Sequence, residues 1–252
     1  MWPAIMIRLR VLGALDIAAE GEENPDLVLR QPKRAALLVY LATALPRGYH
    51  RRDALLARFW PEMDASHARD ALNSALKLLR QGLGSDALLS RGAEEVAIAP
   101  GRVWTDAAAF EAALAEGRYE AALELYRGDL LEGFHTAEAD GFEEWMEGER
   151  RRLRAAAARG AHALSDQKVA AKDLGLGVRW ARRAAELAPD DEAEVRRLLE
   201  LLDAAGDHAG ALRAYSELAA RLKREFGAEP ATETRAVIAR IGRAAGGGSG
   251  GP

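Results

Sequence analysis

The sequence predicts a mainly α protein, with an N-terminal winged helix-turn-helix of α+β type followed by an all-α, tetratricopeptide-like helical-repeat domain. Three observations carry that prediction. Residues 1–104 read as strands, three helices and a hairpin, in that order. From Thr105 onward nearly every stretch has the helical period. Finally, "DLGLGVRWA" (173–181) returns 34 residues later as "DHAGALRAY" (207–215), with Val178 over Leu212 and Arg179 over Arg213. "GRYEAALELY" (117–126) and "GDHAGALRAY" (206–215) likewise share Gly, Ala-Leu and Tyr. The expected division is a winged helix-turn-helix domain at 1–104, a helical-repeat domain at 105–242 and a flexible Gly/Ser tail at 243–252.

Each element has a local reason. In "IMIRLRVLG", Ile5, Ile7, Leu9 and Val11 alternate with Met6, Arg8, Arg10 and Leu12, the period of a half-buried strand. The charged residues inside this stretch, and the lack of a small-residue cleavage site, argue against a signal peptide. "LVLR" at 27–30 reads as a further strand. Pro32 suits the first turn of a helix whose apolar face carries Leu37, Leu38, Tyr40, Leu41 and Leu45. Pro46 and Gly48 stop it. "HRRDALLARFW" is a shorter helix that ends before Pro61. "DASHARDALNSALKLLRQGLG" (64–84) is the third. "DALLSRGAEEVAIAPG" then reads as strand, turn at Arg91-Gly92-Ala93, strand, and a turn at Pro100-Gly101. Thr105 or Asp106 can cap the first helix of the second part.

Composition bounds the function. The chain has 252 residues, 49% of them hydrophobic and 29% charged, which fits a globular protein of two domains. It has no cysteine, which removes disulfides and thiolate metal sites and suits a cytoplasmic location. No apolar run is long enough to span a bilayer, so no membrane partner is expected. The net charge is −4, but it is uneven. Residues 1–105 hold 14 Lys+Arg and 12 Asp+Glu, whereas the remainder is net acidic. Any contact with nucleic acid therefore belongs in the first part.

The helix at 64–84 draws attention because of its polar face. Ala68, Leu72, Ala75, Leu76, Leu79 and Leu83 form the stripe for burial. Opposite lie Asp70, Asn73, Ser74 and Lys77, flanked by His67, Arg69, Arg80 and Gln81. The second helix of a helix-turn-helix enters the major groove with such a face. Asn and Ser address base edges, while Arg and Lys address guanine or phosphate. Asp70 suits phosphate poorly unless it pairs with Arg or reads cytosine. Arg30, Lys33 and Arg34 at the start of the first helix, and His50, Arg51, Arg52 and Arg58 around the second, are candidate phosphate contacts. Arg91 is the candidate on the wing. A plain solvated face is the competing explanation for each of these residues.

The chain resembles the bacterial transcriptional activator domain proteins, the antibiotic-pathway regulators among them, which join an OmpR-type winged helix to a tetratricopeptide-like domain. The resemblance rests on "LVLRQPKRAALLVYLA", "RRDALLARFWPE", "ARDALNSALKLLRQGLG", "LLSRGAEEVAI", "TDAAAFEAAL", "YEAALELYRGDLLEGF", "EEWMEGERRRLR" and "AGALRAYSELAARLKREFGAEPATETRAVIARI". It covers about residues 5–241. It implies sequence-specific binding of double-stranded DNA and transcription activation through RNA polymerase. Two features depart from the family pattern. The wing, "RGAEEV", sets Arg91 beside Glu94 and Glu95, and the polar face of 64–84 is poor in arginine. Both fit a homodimer on direct repeats, or a protein-interaction module whose winged part binds no DNA. No receiver domain is expected in this chain, hence no phosphoryl-aspartate switch.

Enzymatic chemistry has no residues to recommend it. The histidines at 50, 67, 135, 162 and 208 have no metal-ligand spacing. There is no Walker lysine motif, and "GLGVRW" lacks the third glycine of a dinucleotide loop. No cofactor and no metal is expected. The basic run Arg150–Arg154 reads as a helix face with partners such as Glu147, and Trp60, Trp104, Trp145 and Trp180 read as packing residues. A small-ligand pocket between helices would leave little trace in sequence.

Overall fold

The computed structural model describes residues 7–19 and 26–247. Among the described residues the protein is mainly helical, with two small sheets in its N-terminal part. In chain order, strand β1 (Ile7–Arg10) is followed by β2 (Asp16–Ala18), helix α1 (Asp26–Leu29), α2 (Pro32–Thr43) and β3 (His50–Arg51). Next come α3 (Arg52–Phe59), α4 (Ala65–Leu83), β4 (Leu88–Arg91), β5 (Glu95–Ile98) and β6 (Val103–Thr105). The helices that follow are α5 (Asp106–Ala115), α6 (Tyr119–Leu125), α7 (Asp140–Ala170), α8 (Leu174–Leu187), α9 (Glu192–Ala204), α10 (His208–Phe226) and α11 (Thr232–Gly247).

β1 alternates as expected: Ile7 and Leu9 are buried, Arg8 and Arg10 exposed. Ile5 and Met6 lie outside the described residues. β1 is the middle strand of its sheet, antiparallel to β2 (Leu9 opposite Ile17) and parallel to β6 (Leu9 opposite Thr105). The second sheet has the order β3-β5-β4, with β4 and β5 joined by a turn in which Gly92 takes φ +58°.

Several expectations are corrected. Residues 27–30 are not a strand: Asp26–Leu29 is one helical turn packed on α4, with Val28 fully buried. Three consecutive apolar residues do not distinguish a strand edge from a buried turn. Leu45 lies past the end of α2 and is exposed, while Leu37, Leu38 and Leu41 are buried. His50 and Arg51 form a strand ahead of α3 rather than its first turn. Helix α11 runs on to Gly247, into the stretch expected as tail, and 248–252 lie outside the described residues.

The chain divides into two compact units, Met1–Leu153 and Arg154–Pro252. This division comes later than residue 104 because the next helices hold to the N-terminal sheet. Asp106, 3% exposed, accepts from the backbone N–H groups of Val11 (2.9 Å), Leu12 (3.1 Å) and Ala107 (2.8 Å). Burial raises its carboxyl above the ordinary value despite those three donors. Thr105 caps α5 by accepting from Ala108 N–H. Arg150 donates to the carbonyls of Leu130 and Leu131, both at 2.7 Å, and pairs with Glu147, while Arg152 pairs with Glu111 and Glu149. An aromatic cluster joins the first turns of α7 to α2 and α3: Phe142 lies 5.4 Å from Phe59 and 5.4 Å from Trp145, and Trp145 lies 4.8 Å from Tyr40.

In the second unit the repeat is visible in the caps. Asp173 begins α8 by accepting from Leu176 N–H, and Asp207 begins α10 by accepting from Gly210 N–H. The residue before each cap has positive φ, Lys172 at +64° and Gly206 at +74°. Gly177 of α8 sits where any Cβ would press on Val169, and Ser165 donates to its carbonyl at 2.8 Å. The core of this unit includes Val195, Leu198, Leu199, Leu202, Ala211, Leu218 and Ile241.

Candidate nucleic-acid interface

α4 is held by its stripe and its ends. Ala68, Leu72, Ala75, Leu76, Leu79 and Leu83 are buried, as the spacing predicts. The Asp64 carboxylate accepts from Ser66 N–H (3.0 Å) and His67 N–H (3.1 Å), and Gly84 closes the helix with φ +96°. The His67 ring bonds to the same carboxylate and, with the backbone, holds its pKa below the usual range. With the stripe inward, Arg69, Asp70, Asn73, Ser74, Lys77 and Gln81 are all exposed. Arg69 and Lys77 make no ion pair among the described residues.

Helix α3 and the β4–β5 turn flank that face. Arg52 donates its backbone N–H to Glu94 O at 2.8 Å, tying the start of α3 to the turn. Its Nη1 donates to Asn73 Oδ1 at 2.8 Å. Arg80, on the flank of α4, donates to Ser90 Oγ of β4 at 3.2 Å. Between α3, α4 and the turn lies an open cleft of about 540 Å³, lined by Arg52, Leu56, Arg69, Asn73 and Glu94. These cross-links join residues far apart in the chain, and no local spacing in the sequence points to them.

Most of the remaining candidates are engaged elsewhere. Arg34 is only 8% exposed, bonded to Leu27 O and to Gln31 Oε1, and burial lowers its pKa; it is no surface contact. Lys33 donates to Glu138 O at 2.9 Å and lies 3.7 Å from Glu62. Arg51 forks onto Asp53 (3.1 and 2.6 Å), which raises the arginine and lowers the aspartate. Arg91 pairs with Glu95 at 3.1 Å and stacks on Tyr49 with 3.9 Å to the ring centre. Arg58 donates to Gly141 O and covers the Tyr40 ring. His50 lies half-buried against Tyr40, and burial lowers its pKa, which disfavours the cation. Short-range ion pairing and packing thus claim most of the basic residues that sequence position alone offers to a phosphate.

The family model described as "Bacterial transcriptional activator domain" matches residues 93–242. The chain belongs to the bacterial transcriptional activator domain family. The match covers α5 to α10 whole, along with the helices' connection back to β5 and β6. Among solved structures, the chain is similar in fold to Mycobacterium tuberculosis EmbR, determined in complex with a low-affinity phosphopeptide. The TM-score is 0.65 at 22% identity, over 95% of this chain and 65% of that one. This bacterial transcriptional activator domain chain therefore spans less than two thirds of the EmbR chain it resembles. No curated protein matches it. Among the described residues, no helix is long and apolar enough to cross a membrane, and no cluster of His, Cys, Asp and Glu could hold a metal ion.

Proposed function

We propose that this member of a transcription-regulator family binds promoter DNA sequence-specifically and that α4 is its recognition helix. The observation that carries this is the exposed row Asn73, Ser74 and Lys77 on a capped, leucine-seated helix with a hairpin beside it. Residues 1–104 make the DNA contacts, and 105–242 act as the effector part, through RNA polymerase and a second copy of the chain on repeated sites. The protein works in the cytoplasm as an activator and catalyses no reaction. Lys77 contacts phosphate or guanine, Asn73 and Ser74 address bases, and Arg69, Gln81 and His67 lie at the edges of the footprint. Asp70 lies where it suits cytosine.

The test is equilibrium binding to duplex fragments selected from a random library, repeated across a salt series. Asn73→Ala weakens the selected site about 5- to 150-fold, the value of one good base contact of about 1–3 kcal/mol, and barely changes random DNA. Lys77→Ala weakens all duplexes and lowers the salt slope by about 1. Lys33→Ala leaves the slope unchanged, because its ammonium is already committed to Glu62 and Glu138 O. Equal binding by the Asn73 and Lys77 variants and the parent defeats the assignment. A second reading, a protein-interaction module, is favoured by the acidic partners of Arg51 and Arg91, and predicts no salt-dependent duplex binding at all.

A further inference from the structure

We infer that Arg52 decides which base Asn73 prefers, holding its amide so that it favours hydrogen-bond donation and so guanine; this rests on the DNA-binding role of α4 proposed above. Arg52 Nη1 lies 2.8 Å from Asn73 Oδ1. A guanidinium has donors and no acceptor, so only the amide oxygen can face it, and the NH2 group must face away. The bond is charge-assisted, stronger than an amide–amide contact. Arg52 is anchored from behind as well: its backbone N–H is fixed on Glu94 O at 2.8 Å. Asn73 is exposed, so its two amide hydrogens are what it offers to a partner.

An unrestrained asparagine reads adenine by donating to N7 while accepting from N6. Here Arg52 occupies one of the two lone pairs of that oxygen with a charged donor, so accepting from N6 as well is disfavoured while the Arg52 bond stands. The base edge that best fits an amide turned towards donation is guanine, which presents two acceptors, N7 and O6, in the major groove. The positive charge behind the amide oxygen polarises the NH2 group further towards donation. Asn73 thus behaves as a short extension of the Arg52 guanidinium, carried on α4 instead of α3.

The experiment selects sites from a randomised duplex library with the full chain and with Asn73→Ala, Asn73→Asp and Arg52→Met. The position whose preference vanishes in Asn73→Ala is the one Asn73 reads. In the parent it carries guanine, preferred about tenfold or more over adenine. Arg52→Met keeps the apolar stem, removes the donor, frees Oδ1 and moves the preference to adenine. Should Arg52→Met fail to fold, Asn73→Asp at its exposed position decides: lacking donors, it loses guanine and turns to cytosine, whose N4 donates. Adenine at that position in the parent, guanine kept by Arg52→Met or Asn73→Asp, or no position altered by Asn73→Ala each overturns the inference while leaving duplex binding intact. Absence of selectable duplex binding by the parent overturns it together with the proposed function.

Discussion

At the scale of single residues, Asp106 is the buried polar group that ties the start of α5 to the N-terminal sheet. Its carboxylate takes three backbone N–H groups, two of them from Val11 and Leu12, just past β1 and nearly a hundred positions earlier in the chain. Asp106→Asn leaves one of those buried donors facing an amide NH2, a loss of about 1–3 kcal/mol of stability. The pH dependence has a definite sign. Burial raises the folded pKa above the unfolded one, so the folded chain binds the proton more readily. This group's contribution is therefore greatest below the unfolded value, falls as pH rises through the folded value, and is level above it. Denaturant midpoints of the parent and Asp106→Asn over an acid-to-neutral series should show a gap that narrows with rising pH. A gap that widens contradicts the burial argument. The reason such a residue escapes a sequence reading is plain: Asp106 next to Thr105 reads as an ordinary helix cap, and only the fold brings Val11 and Leu12 to it.

At the scale of elements, the periodic helices were legible and the short ones were not. The bounds of α4 follow from a cap at Asp64 or Ser66, the three- and four-residue apolar steps and a stop at Gly82 or Gly84, and the structure uses Asp64 and Gly84. The turn at Gly92 was legible in the same way, and the repeat at 173–181 and 207–215 sets Asp173 and Asp207, the caps of α8 and α10, in register. Asp26–Leu29 and His50–Arg51 did not, since their conformations are set by neighbours: α4 for the former and β5 for the latter. Candidate contacts divide along the same line. The face of α4 was readable because helical spacing separates outward from inward residues. Arg34 was misplaced because a basic residue in a helix's first turn gives no sign that its side chain turns back to Leu27 and Gln31. Packing of the helices around α4 gives the second prediction. Phe142 is fully buried between Phe59 and Trp145, so Phe142→Ala should cost about 3–5 kcal/mol. Thermal or denaturant unfolding measures it. A loss below about 1 kcal/mol, the cost of a tolerated swap, would mean that α3 does not depend on the start of α7.

At the scale of the whole molecule, the chain combines a mildly basic N-terminal part with an acidic helical part. Ion pairs inside the first unit engage Arg51, Arg91 and Lys33, while Lys77 and Arg69 on the α4 face make no ion pair among the described residues. On the proposed DNA-binding role, pairing of these cations lowers non-specific affinity, and discrimination comes from base edges and from two copies on repeated sites. The family assignment covers the helical part and reaches back to the wing, in keeping with the dependence of α5 on β1. The absence of cysteine makes the decisive measurement simple, because Ser74→Cys introduces the chain's sole thiol at the centre of the outward face. A short photoreactive group on that thiol, irradiated with a selected duplex, should cross-link to bases at one position in each half-site, and unlabelled duplex should compete it away. Efficient binding without base cross-links, or cross-links unaffected by competitor, would show that α4 does not enter the groove.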